Sequence, residues 1–139
     1  MPGFERARSL AVRVLVCGSR SIKEPRLVAE ALNCVWALHG VMMQQHLTVI
    51  HGGCPQGPDA HASEWVTNVS RWYPTQVSLE IYAADWDKYK KAAGPIRNSE
   101  MISKDIDLVL AFWDRVSRGT ANMVELAIQR KVPYLLRTV

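Results

Sequence analysis

A chain of 139 residues, 48% hydrophobic and 22% charged, has room for one core of ordinary globular composition. Its net charge of +4 is spread without a Lys/Arg block or an arginine–aromatic stripe, which argues against a nucleic-acid surface and fits a few arginines converging on one small anion. No apolar run approaches the roughly 20 residues that cross a bilayer, so no membrane partner is expected and the expected location is the cytoplasm.

Residues 1–10, MPGFERARSL, are mixed in charge and lack a signal peptide's apolar centre. They read as a flexible arm ahead of a single domain over 11–139. Residues 12–17, VRVLVC, are an apolar, β-branched run and are expected to be a buried strand. Pro25 opens a helix to about residue 38, with Val28, Ala31, Leu32, Val35 and Trp36 on its apolar stripe and Gly40 as its stop. A second strand, 47–53, runs into paired glycines, and Pro58 suits the first turn of a helix that continues to about Trp72. The third strand is 77–84, and the third helix begins at Pro95 and reaches about Ser103. The fourth strand, 106–113, leads to a helix introduced by Gly119 and Thr120, and VPYLLRTV is a fifth strand.

Five short strands alternating with four helices imply an α/β, Rossmann-like, doubly wound fold, a five-stranded parallel sheet with helices on both faces. Ligands of such sheets settle beyond the carboxyl ends of the strands, where strand order reverses. The residues delivered to that edge are therefore the candidates.

Strand one delivers Gly18, Ser19 and Arg20. A dinucleotide fingerprint would continue with glycines so that backbone could approach a pyrophosphate; serine and arginine in their place argue against an ordinary NAD dehydrogenase. Arg20 offers a planar fork to a phosphate or a ribose edge, or pairs with a surface carboxylate. Strand two delivers His51, Gly52 and Gly53, with Gly57 and Asp59 following. His51 is either a hydrogen-bonded core residue or a ligand contact, and the glycines either make the turn or leave space for a ligand. Asp59 either complements a helix dipole or binds a ribose hydroxyl. Arg97 and Asn98 follow Pro95, while Ser117, Gly119 and Thr120 open the last helix. Free N–H groups at these helix starts make a shelf for phosphate. Trp86 and Tyr89, beyond strand three, can stack on a base or simply cover the sheet end.

Cys17, Cys34 and Cys54 are an odd number without a secretion signal and are expected to be free thiols. His51 and Cys54 could form half of a metal site, but no second ligand pair follows at a matching spacing, so no metal is expected.

Taken in order, GSR, HGG…GPDAHA, DWDKYKKAAGPIRNSEM and FWDRVSRGTANMVELA resemble the YspA-like, cpYpsA-related SLOG proteins, over roughly residues 12–137. These are relatives of the Lonely-Guy and lysine-decarboxylase-like nucleotide proteins. The resemblance implies a Rossmann-like domain that binds a nucleotide or nucleotide-derived ligand, ADP-ribose/NAD-derived or a nucleoside monophosphate, as a sensor or sequestering module. Relatives commonly pair through helices, which implies a homodimer; no cofactor is expected. Arg97, Asn98 and Met101 are similar to the catalytic arginine–lysine–methionine pattern of the glycosidase relatives, with asparagine in place of lysine. Ser117, Gly119 and Thr120 match those relatives' glycine–threonine phosphate loop. The relatives' catalytic glutamate, three residues after the threonine, is Met123 here, and Glu125 lies about 200° further round the helix. Hydrolysis of an N-glycosidic bond, a phosphoribohydrolase activity, is therefore the alternative function. Arg97 is the central candidate, and Arg97→Ala is expected to lose ligand while keeping the fold.

Overall fold

The computed structural model describes residues 11–139; the expected N-terminal arm lies outside the described residues. Strand β1, Ala11–Gly18, carries apolar side chains on both faces because it is the middle strand of the sheet. Val12, Val14 and Val16 pack on one face, and Leu15 and Cys17 on the other. The helix after it, α1, spans Arg26–Val35, and the chain continues in π-helical turns over Trp36–Met42. Strand β2, His46–His51, leads to α2, Pro58–Ser70, and then to β3, Val77–Ile81. A short helix α3, Trp86–Tyr89, and a 3-10 turn precede α4, Ala93–Ile102. Strand β4, Leu108–Trp113, helix α5, Arg118–Gln129, and strand β5, Tyr134–Thr138, follow.

All the neighbouring strands pair in parallel, in the order β3-β2-β1-β4-β5. Helices α1 and α2 cover one face through Leu32, Val35, Trp65 and Val66, and α4 and α5 cover the other through Met101, Ile102, Met123 and Ala127. This is the Rossmann-like, doubly wound sandwich implied by the alternation of elements. The chain runs outward from β1 to β3, then returns across the sheet to β4, so strand order reverses between β1 and β4. Ser19 N–H donates to the Phe112 carbonyl (3.0 Å), carrying that pairing one residue past β1. Among the described residues no helix is long and apolar enough to cross a membrane.

Two expectations need correction. Gly40 does not stop the first helix; it lies inside the π-helical turns, where a Cβ would overlap the Trp36 indole. The stop is Gln44, held at φ 53° while Gln45 N–H donates back to the His39 carbonyl (2.8 Å), the reversal usually given to glycine. The third helix begins at Ala93 rather than Pro95, which sits in its first turn, where a missing N–H costs nothing. Ahead of it, Asp85 caps α3 by accepting from Lys88 N–H (3.1 Å).

Candidate functional site

Beyond the ends of β1 and β4 the chain encloses a cleft of about 570 Å³. Gly18, Arg20, Gly52 and Asp59 line it from the β1 and β2 sides; Arg97, Asn98, Ser117, Gly119 and Thr120 line it from α4 and α5. Ser19, His51, Gly53 and Gly57 are absent from the lining and hold its walls instead.

The β1 wall is a hydrogen-bonded clamp. Ser19, fully buried, accepts from Asp114 N–H at Oγ (3.0 Å). Asp114 in turn accepts from the Ser21 hydroxyl (2.7 Å), Ser117 N–H (2.8 Å) and Val116 N–H (2.9 Å), and these donors hold its carboxyl well below the usual range. The clamp sets the β4–α5 turn, and Ser117 then caps α5, with Oγ 3.4 Å from Thr120 N–H. Arg20 is left exposed, on the cleft lining.

On the β2 side, His51 is 2% exposed. Its Nδ1 accepts from Gly53 N–H (2.9 Å), which puts the ring proton on Nε2, facing the Ser63 hydroxyl at 2.6 Å. Both nitrogens are thus engaged, and burial together with the nearby Arg97 charge lowers its pKa to about 4. Gly57 caps α2 with φ 76° and ψ −154°, a conformation open only to glycine. Asp59, in the first turn, accepts from Cys54 N–H (3.1 Å). Burial raises its pKa, against the lowering effects of the Cys54 N–H and the Arg97 charge. The buried Cys17 thiol is likewise pushed up by burial, so it is not a reactive thiolate. Among the described residues no three His, Cys, Asp or Glu side chains gather as a metal site.

Arg97 links three elements. Its Nη1 donates to the Gly52 carbonyl (2.7 Å) and lies 3.4 Å from the Tyr82 carbonyl, while Nε donates to Asn98 Oδ1 (3.0 Å). Asn98, 5% exposed, passes the connection on through Nδ2 to the Gly119 carbonyl (3.2 Å) and Asn122 Oδ1 (3.0 Å). Part of the arginine fork is therefore spent on the protein. Arg97→Ala would leave the Gly52 carbonyl without its donor, at a cost of about 1–3 kcal/mol. The variant is therefore expected to keep its fold at reduced stability.

The glycines divide in a way no spacing announces. A Cβ at Gly18 would overlap the Pro58 ring, one at Gly52 the Arg97 guanidinium, and one at Gly57 would lie 2.9 Å from the Ser19 carbonyl oxygen. Those glycines admit protein atoms. Gly119, on the cleft lining, has nothing within 4 Å of its missing Cβ.

Sequence reasoning missed Lys91, Asp114, Arg118 and Asn122 as lining residues. Asp114 carried a legible signal, an aspartate three residues before a serine at a strand end, the pattern of an Asx turn. Asn122 could have been found as the residue three beyond Gly119, on the same helix face. Trp86, half exposed at 51%, also lines the cleft, whereas Tyr89 does not. Met123 is fully buried in the core and Glu125 is exposed; neither lines the cleft.

An open parallel sheet with a helix N-terminus and cationic side chains lining the crevice at its strand reversal defines a Rossmann-like domain with a cleft where such folds take their ligands. Comparison with known proteins makes this particular: the chain belongs to the YspA, cpYpsA-related SLOG family, whose model matches residues 12–89. That match ends short of the span over which the motifs carry the resemblance, before Arg97 and Gly119. The gene 61 protein of Mycobacterium phage D29 is 35% identical over 123 residues, covering 88% of this chain and 94% of that protein.

Proposed function

We propose that the cleft binds a nucleotide or a nucleotide-derived ligand, an ADP-ribose/NAD-derived compound or a nucleoside monophosphate, and that the protein is a cytoplasmic sensor or sequestering module. Family membership supports the coarse part of this reading, a nucleotide-related ligand. The observation that carries the rest is Gly119, the lining glycine whose open side no protein atom fills, at the start of α5. A helix start offers free N–H groups and a positive dipole end. Arg20, Lys91, Arg97 and Arg118 line the same space against Asp59 and Asp114, so the balance favours an anion. The test is a thermal-shift panel of nucleotides and ADP-ribose derivatives, in which a ligand at 100 times its Kd adds about 2.7 kcal/mol. A panel without any shift would sink the proposal.

Arg97→Ala is expected to weaken the bound nucleotide roughly ten- to hundredfold, since a charge-assisted donor is lost and the Asn98 amide is released. Arg97→Lys is expected to rescue only partly, because one ammonium cannot hold Gly52 O and Asn98 Oδ1 in the geometry of the fork. Calorimetry showing unchanged affinity in the alanine variant would remove Arg97 from the site.

The alternative, N-glycosidic hydrolysis, has weaker support. Cleavage needs a carboxylate near the departing sugar or its attacking water. Met123 occupies the relatives' glutamate position, Glu125 lies outside the cleft and Asp114 is committed to its turn. Asp59 is the remaining carboxylate on the lining.

Self-association as a homodimer belongs to the same proposal. At the end of the sheet away from the cleft, Met42 and Met43 close the π-helical turns 76% and 55% exposed, and Trp72, 82% exposed, follows α2 next to Tyr73, which packs edge-on against Trp36 of those turns. Aromatic and methionine side chains of this kind are enriched in interface cores. Trp72→Glu is expected to turn a dimer into a monomer by light scattering; an unchanged mass would exclude this patch.

A further inference from the structure

We infer that Asn122 is a specificity-determining residue of the cleft, presenting its amide N–H pair to a phosphate-type oxyanion of the ligand. This rests on the reading that the cleft takes a nucleotide.

The orientation of the Asn122 amide follows from groups whose polarity is not in question. Arg97 Nε can only donate, so the atom of Asn98 facing it at 3.0 Å must be the amide oxygen. The other end of the Asn98 amide faces the Gly119 carbonyl at 3.2 Å, which can only accept, so that end must be the NH₂. Both ends of one amide are thereby fixed independently, and they agree. The atom of Asn122 that Asn98 Nδ2 reaches at 3.0 Å must then be an acceptor, Oδ1. Its own NH₂ is turned the other way. Asn98 is 5% exposed, so water does not readily replace these bonds.

The Asn122 Nδ2 has no partner among the described residues and is not buried without one, and the residue lines the cleft. Gly119 lies three residues earlier on the same helix face, with its open side toward no protein atom. Arg118, next to it in the first turn, also lines the cleft. This end of the cleft gathers N–H donors and the Arg118 charge, and the Asp114 carboxylate beside them is already taken up by the Ser21 hydroxyl and the Val116 and Ser117 N–H groups. A ribose hydroxyl or a base edge mixes donors with acceptors, whereas a phosphate only accepts. The second lining carboxylate, Asp59, is on α2 rather than α5. The phosphate belongs at α5, and Asn122 selects for it.

Asn122→Asp separates this role from a structural one. The aspartate still accepts from Asn98 Nδ2, so the connection to Arg97 survives, but an oxygen replaces the NH₂ facing the ligand. Asn122→Ala removes both. With AMP and ribose 5-phosphate as probes in calorimetry, the alanine variant is expected to bind roughly tenfold more weakly and the aspartate variant at least hundredfold, for loss of a charge-assisted donor and then added repulsion. The unfolding midpoint of the unliganded aspartate variant is expected to match the wild type. Aspartate-variant binding equal to wild type would overturn this inference alone. Wild-type protein that binds neither probe, nor any nucleotide, would overturn the reading of the cleft and this inference with it.

Discussion

Gly119→Val is expected to abolish nucleotide binding in a protein as stable as the wild type, and Gly18→Ala to do the reverse. A Cβ at Gly119 would meet no atom of another element within 4 Å, so a branched side chain is expected to fit the folded state and to occupy the space a ligand would approach. Even Gly119→Ala should weaken binding while adding about 0.4–1 kcal/mol, because alanine restricts the unfolded chain and suits a helix better. At Gly18, a Cβ would lie 2.7 Å from the Phe112 carbonyl oxygen and overlap the Pro58 ring. Overpacking of that kind costs about 1–3 kcal/mol or more where neither neighbour can yield. Urea denaturation and calorimetry on the two variants read the opposed effects. If Gly119→Val bound nucleotide normally, the ligand would have to lie elsewhere in the cleft.

Stability is expected to fall as pH drops from about 6.5 to about 4, with His51 as the cause. The folded protein keeps the ring neutral down to about pH 4, whereas the unfolded chain takes up the proton near 6.5. Within that window the unfolded state binds more protons, so acid favours it; above 6.5 the contribution is fully present. A window of this width corresponds to about 3 kcal/mol. Protonation would also set a second hydrogen at Nδ1 against the Gly53 N–H (2.9 Å), with Asp59 Oδ2 3.9 Å away as partial relief. Asp59 acts in the opposite sense, since burial raises its pKa in the fold, so its ionisation on raising pH weakens the fold in the carboxylate range. His51→Asn keeps an acceptor for Gly53 N–H and removes the titration. It is expected to be less stable at neutral pH, through loss of the Ser63 contact, with a flatter profile between pH 4 and 6.5. An unchanged slope in that variant would place the titration on another group.

What the sequence by itself determined was the order of elements and their meeting edge. VRVLVC reads as a central strand because both its faces must be buried, and the alternation of such runs with amphipathic helices admits a parallel, doubly wound sheet almost alone. That architecture sends GSR, HGG and RGT to a common edge before any coordinate is known. Tertiary structure decided which of those residues line the cleft. Gly18, Gly52, Gly57 and Gly119 are alike in a sequence, yet Pro58, Arg97 and the Ser19 carbonyl occupy the side-chain space of the first three, and nothing occupies that of the fourth. Gly40 resembled a helix stop because its reason for being glycine, the indole of Trp36, lies in the coiling of its own helix. The direction of the Asn122 amide depends on Asn98, 24 residues earlier, and through it on Arg97. Periodicity reports which face an element buries, a local property of the chain. Which neighbour fills a gap, and which way an amide turns, depends on contacts between distant segments that exist only once the strands have paired.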